Sequence, residues 1–319
     1  MRHCRPALLS LLCALVAGLS PSSALAADPW RMRSGAYYGW HLGVIGLELA
    51  ASGAVSWLGR GHEGRWDLVP FSPDLAVRNH FNDAAAQASD RLRLLTLALP
   101  LAAQLSSGFD SAFGNAALIY TEAQTTNLFL TTLTKEIVRR PRPYTHSRDP
   151  RVREFARSEG SEAYASFYSG HASASYAAAL SGSLLYAART RELWARHLMW
   201  GGEFLLAGIT AQLRVSAGRH YRTDVWFGSL IGAATGIAIP ALHGLPLSRV
   251  RASEVAVAAG AVLLTQLGAE LVDLCALLGC AEPSSARERS GRVSPPGLEW
   301  SLLPAALPGG VGLQGMGSW

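Results

Sequence analysis

The stretch from Arg214 to Leu242 reads RVSAGRHYRTDVWFGSLIGAATGIAIPAL and joins a polar motif to a long apolar run. The apolar part, residues 225–242, has 18 residues without a charge, which is long enough for a helix to cross a bilayer. Helix formers are frequent in it, and its length exceeds that of an ordinary strand. The stretch therefore predicts a long apolar helix that begins beside a polar site.

Six other segments are similarly apolar and rich in Ala, Leu and Gly, and no convincing alternation of strands and helices is present. Several contain ionisable residues such as Glu48, Glu122 and Glu203, which are costly inside a membrane unless they face a site or cavity. We predict an all-α bundle of about six to seven helices embedded in a membrane, with a soluble or peripheral bundle as the alternative. The six segments are 36–58, 92–108, 112–134, 171–188, 197–213 and 254–278.

The composition of the 319 residues excludes several classes of protein. Hydrophobic residues make up 49% and charged residues 16%, below the roughly 25% charged residues of soluble domains. These values argue against a disordered chain, a coiled coil or a collagen-like fibre. Of the 28 basic residues, 27 are arginine and one, Lys135, is lysine. A lysine-rich tail for nucleic acid is therefore excluded, and no nucleic-acid partner is expected.

The first 26 residues are typical of a secretory signal peptide. Arg2 and Arg5 precede a short apolar run, and Ala24 and Ala26 form a small-residue cleavage site. Cleavage after Ala26 would export the chain to a bacterial-type cell envelope, with an uncleaved anchor as the alternative.

The rest of the chain divides by composition. Residues 27–280 form the predicted helical domain, and the polar, Pro-rich residues 281–297 indicate a linker. Residues 298–319 indicate two short strands in a hairpin-like tail. Whether Cys275 and Cys280 form a disulfide stays open.

The first polar motif, KEIVRRPRP, spans residues 135–143. The Lys135 ammonium is a compact point charge, whereas the Arg142 guanidinium is a planar fork that can hold two oxygens. Prolines on both sides of Arg142 stiffen its backbone. The neighbouring Arg139 and Arg140 either attract an acidic headgroup or are simply solvated.

The second motif, YSGH, spans residues 168–171 and opens an Ala-rich segment. Backbone N–H groups at the start of a helix favour an anion. Ser169 adds a hydroxyl donor, and Gly170 allows the backbone to approach a ligand closely. His171 would lie at the rim of such a site as a proton donor.

The third motif runs from Arg214 to Asp224. His220 and Asp224 are four residues apart and share a face if a helix begins near His220. A carboxylate bound to one imidazole nitrogen fixes the tautomer and leaves the other nitrogen free to attack. The alternative for an isolated His–Asp pair is a salt bridge at a helix start.

In order and spacing, the three motifs together resemble the type 2 phosphatidic acid phosphatase (PAP2) and vanadium haloperoxidase superfamily, over roughly residues 90–245. The resemblance implies an all-α bundle with the motifs at helix ends on one side. It implies that Lys135, Arg142 and Arg214 bind phosphate oxygens. It also implies that Ser169 and Gly170 add hydrogen bonds to the phosphate.

The resemblance further implies the catalytic roles. His220 would attack phosphorus to form a phosphohistidine, Asp224 would orient His220, and His171 would protonate the leaving oxygen. No metal or other cofactor is needed, because the cations and oriented amides supply the electrostatic stabilisation. The chain departs from the family pattern at Tyr168, where Pro is usual, and at Leu213, where Ser is usual.

The predicted function is therefore a metal-independent hydrolase of the acid-phosphatase type that removes phosphate from a lipid phosphate or diphosphate. One alternative is a vanadate-dependent haloperoxidase with vanadate bonded to His220. The other is a non-catalytic envelope protein of the same fold.

We expect the site on the extracytoplasmic face, with segment 36–58 packed on the bundle rather than crossing it. Eight basic residues between 135 and 157 favour the cytoplasmic side, but the phosphate site itself requires several of them.

Overall fold

A computed structural model describes residues 32–61, 64, 73–106 and 108–270, together with the backbone of 72, 271–277, 299–307 and 310–318. The predicted signal peptide, the predicted linker and the pairing of Cys275 with Cys280 lie outside what it describes. The chain divides into two compact units between Ala269 and Glu270, and each unit is described by itself.

Nine α-helices occur in the described residues, and seven of them have 20 or more residues. These seven overlap the predicted apolar segments and confirm an all-α bundle. Short 3₁₀ turns lie at Pro143–His146, Gly160–Tyr164 and Leu247–Arg249. The helices are α1 Gly35–Gly59, α2 Ser72–Leu75, α3 Asp83–Leu105, α4 Ser111–Val138, α5 Pro150–Ser158, α6 Gly170–Arg189, α7 Leu193–Ser216, α8 Arg222–Leu242 and α9 Ala252–Leu277.

Capping side chains explain where α3 and α4 begin, and a left-handed residue explains where α4 ends. Asn82 accepts a hydrogen bond from the N–H of Ala85, and Asp110 accepts one from the N–H of Phe113, which satisfies amides that lack a partner within the helix. Helix α4 ends at Arg139, whose left-handed backbone (φ 48°, ψ 49°) closes the last turn. The chain leaves α4 directly into the first motif.

Helix α6 lies at the centre of the bundle and packs closely on α8. Gly228, Gly232 and Gly236 of α8 face the backbone of α6, and a Cβ at Gly232 would lie 2.0 Å from the carbonyl oxygen of Ser173. Small residues at such a seam allow two helices to approach closely. This contact fixes the start of α6, with the second motif, against the start of α8, with the third.

Three helices, α1, α8 and the Ala252–Glu270 part of α9, are long and apolar enough to cross a membrane. Their outer faces carry exposed apolar side chains, among them Trp57, Leu230 and Leu264. Large exposed apolar surfaces of this kind are typical of membrane contact, so the fold is compatible with membrane association. Helix α1 packs on α4, while the expectation that segment 36–58 does not cross stays a prediction.

The second unit contains two strands, Glu299–Leu307 and Gly310–Ser318, which pair antiparallel with Leu307 opposite Gly310. The hairpin-like tail as an appendage to the bundle stays a prediction.

Candidate active site

A cavity of about 440 Å³ lies where the three motifs meet. Residues from α1, α3, α4, α6 and α7 line it, together with residues from the connections between α4 and α6 and between α7 and α8. Of the eight residues predicted from the sequence, six line it, namely Lys135, Arg142, Gly170, His171, Arg214 and His220. The tertiary structure therefore brings the three motifs into one site.

His220 is 1% exposed and is held by the backbone. Its Nδ1 lies 2.7 Å from the carbonyl oxygen of Ser166. Because a carbonyl only accepts hydrogen bonds, Nδ1 carries the proton, and the neutral ring has its lone pair on Nε2. Burial, and next the charge of Arg142, holds the pKa of His220 well below its ordinary value. The ring is therefore neutral at physiological pH, with Nε2 able to act as a nucleophile.

Asp224 lies behind His220 rather than in the cavity wall. Its Oδ2 is 3.8 Å from Nδ1 of His220, beyond hydrogen-bonding distance. The same oxygen accepts hydrogen bonds from Ser166 Oγ at 2.6 Å and from the N–H of Tyr221 at 2.9 Å. The direct hydrogen bond expected from the sequence is thus replaced by an indirect one, because Ser166 contacts both Asp224 and His220.

Arg140 forms ion pairs with two buried carboxylates behind His220. The alternative that Arg140 is simply solvated is therefore wrong. Its guanidinium pairs with Asp224 and with Asp74, whose Oδ2 lies 2.8 Å from Nη2. Both carboxylates are fully buried, and Thr223 also donates to Asp74. Arg140 stacks over the ring of Tyr221, with its Cζ 4.0 Å from the ring centroid. The arginine therefore stabilises the start of α8 beneath His220.

The three predicted phosphate-binding cations differ in how they are held. The guanidinium of Arg142 donates to the backbone oxygen and to Oε2 of Glu162, at 2.7 and 3.1 Å. Arg214 donates to Ser89 Oγ at 3.0 Å and to Asp90 Oδ1 at 3.4 Å. The two arginines are thereby fixed in orientation before any ligand binds.

Lys135 differs from both arginines. Within the described part of the chain, no carboxylate forms an ion pair with it. Burial, together with the positive charge of Arg142, lowers the pKa of Lys135 to about 8. The ammonium is thus charged at neutral pH while lacking an ion-pair partner, which favours an anionic ligand in the cavity.

The two small residues of the second motif occupy different positions. Ser169 is fully buried and caps α6, accepting from the N–H of Ala172 at 3.4 Å, and it is not part of the cavity lining. Gly170 does line the cavity, and a Cβ there would lie 3.1 Å from Thr131 Cγ2 and 3.8 Å from Lys135 Nζ. Glycine therefore leaves space next to the ammonium.

His171 lies at the rim of the cavity and contacts Asp90, with Nε2 2.6 Å from Oδ1. Burial lowers the pKa of His171, while the hydrogen bond to Asp90 acts in the opposite direction. Since Asp90 also contacts Arg214, one carboxylate of α3 orients two of the predicted site residues. Asp90 belongs to none of the three motifs.

The two departures from the family pattern lie outside the cavity lining. Tyr168 is fully buried, and its hydroxyl oxygen accepts a hydrogen bond from Thr131 at 3.3 Å. Leu213 packs against Ala85, Ala86 and Ala217. Neither substitution removes a charged group from the site, and each fills a place in the surrounding packing.

Three cations around a buried neutral imidazole in a helical bundle form an arrangement chemically suited to an oxyanion beside a nucleophile. Residues 116–245 match the family model of the PAP2 superfamily. This match confirms the resemblance inferred from the three motifs: residues 116–245 are similar to a PAP2-superfamily domain. Such a domain supports a phosphatase- or haloperoxidase-like activity in general. No match was found among curated proteins or among solved structures.

Proposed function

We propose that the protein is a metal-independent phosphatase that cleaves a phosphate or diphosphate ester of a lipid through a phosphohistidine. The observation that carries this proposal is that one cavity holds a neutral His220 and a Lys135 without an ion-pair partner among the described residues. The neutral ring supplies a nucleophile, and the ammonium supplies a charge that a phosphate would neutralise. A purely structural site would pair its own charges instead.

The reaction we propose has two steps. In the first, Nε2 of His220 attacks phosphorus, the bond from phosphorus to the ester oxygen breaks, and that oxygen takes a proton from His171. In the second, water attacks the phosphohistidine, gives its proton to His171, and releases inorganic phosphate as the P–N bond breaks. His171 must be protonated for the first step, and a bound phosphate dianion raises its pKa because the added negative charge favours the imidazolium.

The cations act on the charge that develops on the equatorial oxygens. Arg142 and Arg214 are held by Glu162 and Ser89 before substrate binds, so little reorganisation is needed during the reaction. Fixed donors of this type contribute about 3–4 kcal/mol each to transition-state stabilisation. Ser169 was expected to bind phosphate through its hydroxyl; with the side chain capping α6, we propose that it positions Gly170 instead.

A lipid substrate is favoured by the apolar part of the cavity wall. Leu97, Leu128 and Ala174 continue the lining beyond the cations, and Leu128 is 45% exposed on the outside of the bundle. A phosphate headgroup could bind the cations while its acyl or prenyl chain follows this apolar side toward the membrane. Helix α8, one of the three helices long and apolar enough to span a membrane, begins at the site and supports the same arrangement.

We also propose that the site faces the extracytoplasmic side. Helices α6 and α8 begin at the site, so their C-terminal ends lie at the other end of the bundle, where Arg191, Arg249 and Arg251 occur in the connections. Basic connections prefer the cytoplasm. At the site end, Arg140 and Arg142 are buried in ion pairs and count less as loop charges. A charged, membrane-impermeant phosphate ester added to intact cells should therefore be hydrolysed without permeabilisation.

The deciding experiment measures phosphate release from a panel of lipid phosphates and diphosphates and from a soluble aryl phosphate, in the presence of a chelator. Wild-type protein is compared with His220→Ala and with His197→Ala, a partly exposed histidine whose Nε2 lies 2.9 Å from Ser253 Oγ. We expect turnover in the wild type and in His197→Ala, and its loss in His220→Ala. A wild type that is inactive on every substrate, or full activity in His220→Ala, would overturn the proposal.

The haloperoxidase alternative is separated by the same preparation. Vanadate added together with peroxide and bromide would give halide oxidation in a haloperoxidase, whereas in a phosphatase vanadate inhibits phosphate release. Halide oxidation without any phosphatase activity would replace the proposed function with the alternative.

A further inference from the structure

A second group of ionisable side chains lies away from the cavity, where α1, α4 and the end of α8 meet. It consists of His41, Glu122 and His243, whose potential ligand atoms all lie within 4.8 Å of one another. Nδ1 of His41 is 2.8 Å from Oε2 of Glu122, and Nε2 of His243 is 3.1 Å from the same oxygen. Three helices thus direct two imidazole nitrogens and one carboxylate toward a single point.

The hydrogen bonds within this group leave one polar atom without a partner. Glu122 is 1% exposed, and its second oxygen, Oε1, is buried with no hydrogen-bond partner among the described residues. An unsatisfied buried carboxylate oxygen is costly. Both histidines contact Oε2 while Oε1 receives no donor, so the group is an incomplete hydrogen-bonding arrangement and has a free acceptor suited to a cation.

We propose that His41, Glu122 and His243 bind a divalent transition-metal ion of the Zn²⁺ type. Two imidazoles with one carboxylate form a donor set that suits such ions, whereas Mg²⁺ and Ca²⁺ prefer oxygen donors. Three protein ligands leave a fourth position for water, and the 18% exposure of the His41 side chain gives access to it.

The side chains need to move little to bind the ion. In a tetrahedral zinc site with bonds of about 2.0–2.1 Å, neighbouring ligand atoms are about 3.3 Å apart. The two contacts to Oε2, at 2.8 and 3.1 Å, are a few tenths of an ångström shorter. Insertion of the ion would therefore separate each nitrogen from Oε2 by only a few tenths of an ångström, and the two nitrogens already lie within 4.8 Å of each other.

Tyr37 supplies the outer contact that such a site requires. Its hydroxyl is hydrogen-bonded to Nδ1 of His243. When Nε2 of His243 binds the ion, the proton must lie on Nδ1, which then donates to the oxygen of Tyr37. A hydrogen bond to the far nitrogen of a histidine ligand fixes its tautomer and orientation.

The position of this site indicates a structural role for the ion. His220 precedes the first residue of α8 and His243 follows the last one, so the two sites lie at opposite ends of that helix. Glu122 is 13 residues before Lys135 on α4, a distance of about 20 Å along the helix. The ion would connect α1 to α4 and α8, and this inference does not depend on the proposed phosphatase activity.

The test measures metal content and affinity. Full-length protein with a tag that contains no histidine is purified in detergent, treated with chelator, exchanged into chelator-free buffer and titrated with Zn²⁺. Bound metal is counted by elemental analysis, and Co²⁺ is added separately to follow its visible absorption. We expect one equivalent of Zn²⁺ to bind in the wild type and to be lost in Glu122→Gln, which keeps the size of the side chain.

Three further variants separate the site from other histidines. His41→Gln should lose the metal as Glu122→Gln does, and Tyr37→Phe should bind it about 10–100-fold more weakly. His197→Gln, which lies outside the group, should keep it. The proposal is wrong if the wild type binds no more Zn²⁺ than Glu122→Gln, or if His197→Gln loses the ion to the same degree.

Thermal unfolding provides a measurement that does not depend on each variant folding equally well. A ligand that binds only the folded state raises its stability in proportion to the logarithm of ligand concentration. Zn²⁺ should therefore raise the Tm of the chelator-treated wild type and of His197→Gln, and leave that of Glu122→Gln unchanged. A wild-type Tm that does not respond to Zn²⁺ would show that Glu122 is only a hydrogen-bonding partner of two histidines.

Discussion

Nδ1 of His220 donates a hydrogen bond to the carbonyl oxygen of Ser166 at 2.7 Å. The side chain of the same serine donates to Asp224 at 2.6 Å. Ser166 therefore connects the carboxylate to the imidazole, and it determines which nitrogen of His220 faces the cavity. The orientation of the proposed nucleophile depends on a residue that belongs to none of the three motifs.

The first prediction concerns the side chain of Ser166. Ser166→Ala removes the hydrogen bond to the buried Asp224 and should lower the free energy of unfolding by about 1–3 kcal/mol. We expect kcat to fall by about tenfold, equivalent to about 1.4 kcal/mol, because His220 is oriented less well. KM should change little, since the phosphate-binding cations are untouched. Steady-state kinetics and thermal unfolding in detergent measure both effects.

Ser181→Ala is the matched control. Ser181 is also fully buried, but its hydroxyl donates to the carbonyl oxygen of Ala177 within α6. Its loss should affect stability without a change in kcat. Equal loss of kcat in the two variants would mean that Ser166 supports the fold and not the position of His220.

The second prediction concerns pH and Lys135. Because the pKa of Lys135 is lowered to about 8, its ammonium is present below that pH and is lost above it. Inhibition by inorganic phosphate should therefore weaken as pH rises from about 7 to about 9. The arginine of Lys135→Arg keeps its charge over this range, so inhibition of this variant by phosphate should not weaken between these pH values.

At neutral pH, Lys135→Arg should have much lower turnover than the wild type. The backbone at Gly170 approaches Lys135 Nζ so closely that an added Cβ would lie 3.8 Å from it, and a planar guanidinium would need the room that the glycine leaves for the ammonium. If Lys135→Arg has wild-type turnover and the same pH profile as the wild type, the site does not require a lysine at this position.

The third prediction concerns space at Gly170. Gly170→Ala places a methyl group 3.1 Å from Thr131 Cγ2 and 3.8 Å from Lys135 Nζ, so the Thr131 side chain must give way and the space beside the ammonium is filled. We expect kcat/KM for phosphate esters to fall by about tenfold or more, a loss of at least about 1.4 kcal/mol in transition-state binding. Gly202→Ala is the control, because nothing lies within 4 Å of the added Cβ. It should leave activity unchanged and stabilise α7 through higher helix propensity.

The fourth prediction concerns Arg140 and the two buried carboxylates with which it pairs. Arg140→Met leaves Asp74 and Asp224 buried without their common partner and should lower the free energy of unfolding by about 3–5 kcal/mol. Arg157→Met removes an exposed pair with Glu154 and should change stability little. Chemical unfolding monitored by tryptophan fluorescence compares the two variants. A mild effect of Arg140→Met would show that Arg140 is not needed to hold the start of α8.

The helices and the three motifs could be predicted from the sequence because both depend on local patterns. A helix occurs at each position where an apolar segment is longer than an ordinary strand. In α8, glycines recur every four residues at Gly228, Gly232 and Gly236, which places them on one face of the helix. Lys135, Arg142 and His220 could be found because the three motifs that contain them occur in the order and at the spacing typical of the family. These signals are short in sequence, so a single chain displays them.

The partners of those residues could not be predicted, because each contact joins distant parts of the chain. Asp90 lies 81 residues from His171 and 124 from Arg214. Arg140 is 84 residues from Asp224. The histidines of the proposed metal site have no nearby partner in the sequence, since Glu122 is 81 residues from His41 and 121 from His243.

The sequence by itself determined the all-α class, the apolar helices and the set of cations and histidines that form the PAP2 signature. Only the tertiary structure decided that Ser166 and not Asp224 bonds directly to His220, that Ser169 caps α6 behind the cavity, and that Lys135 alone among the three cations has no carboxylate partner in the described chain. The physical reason is that helix formation follows local periodicity, whereas hydrogen bonding and ion pairing depend on which side chains the packing of the helices brings within about 3 Å.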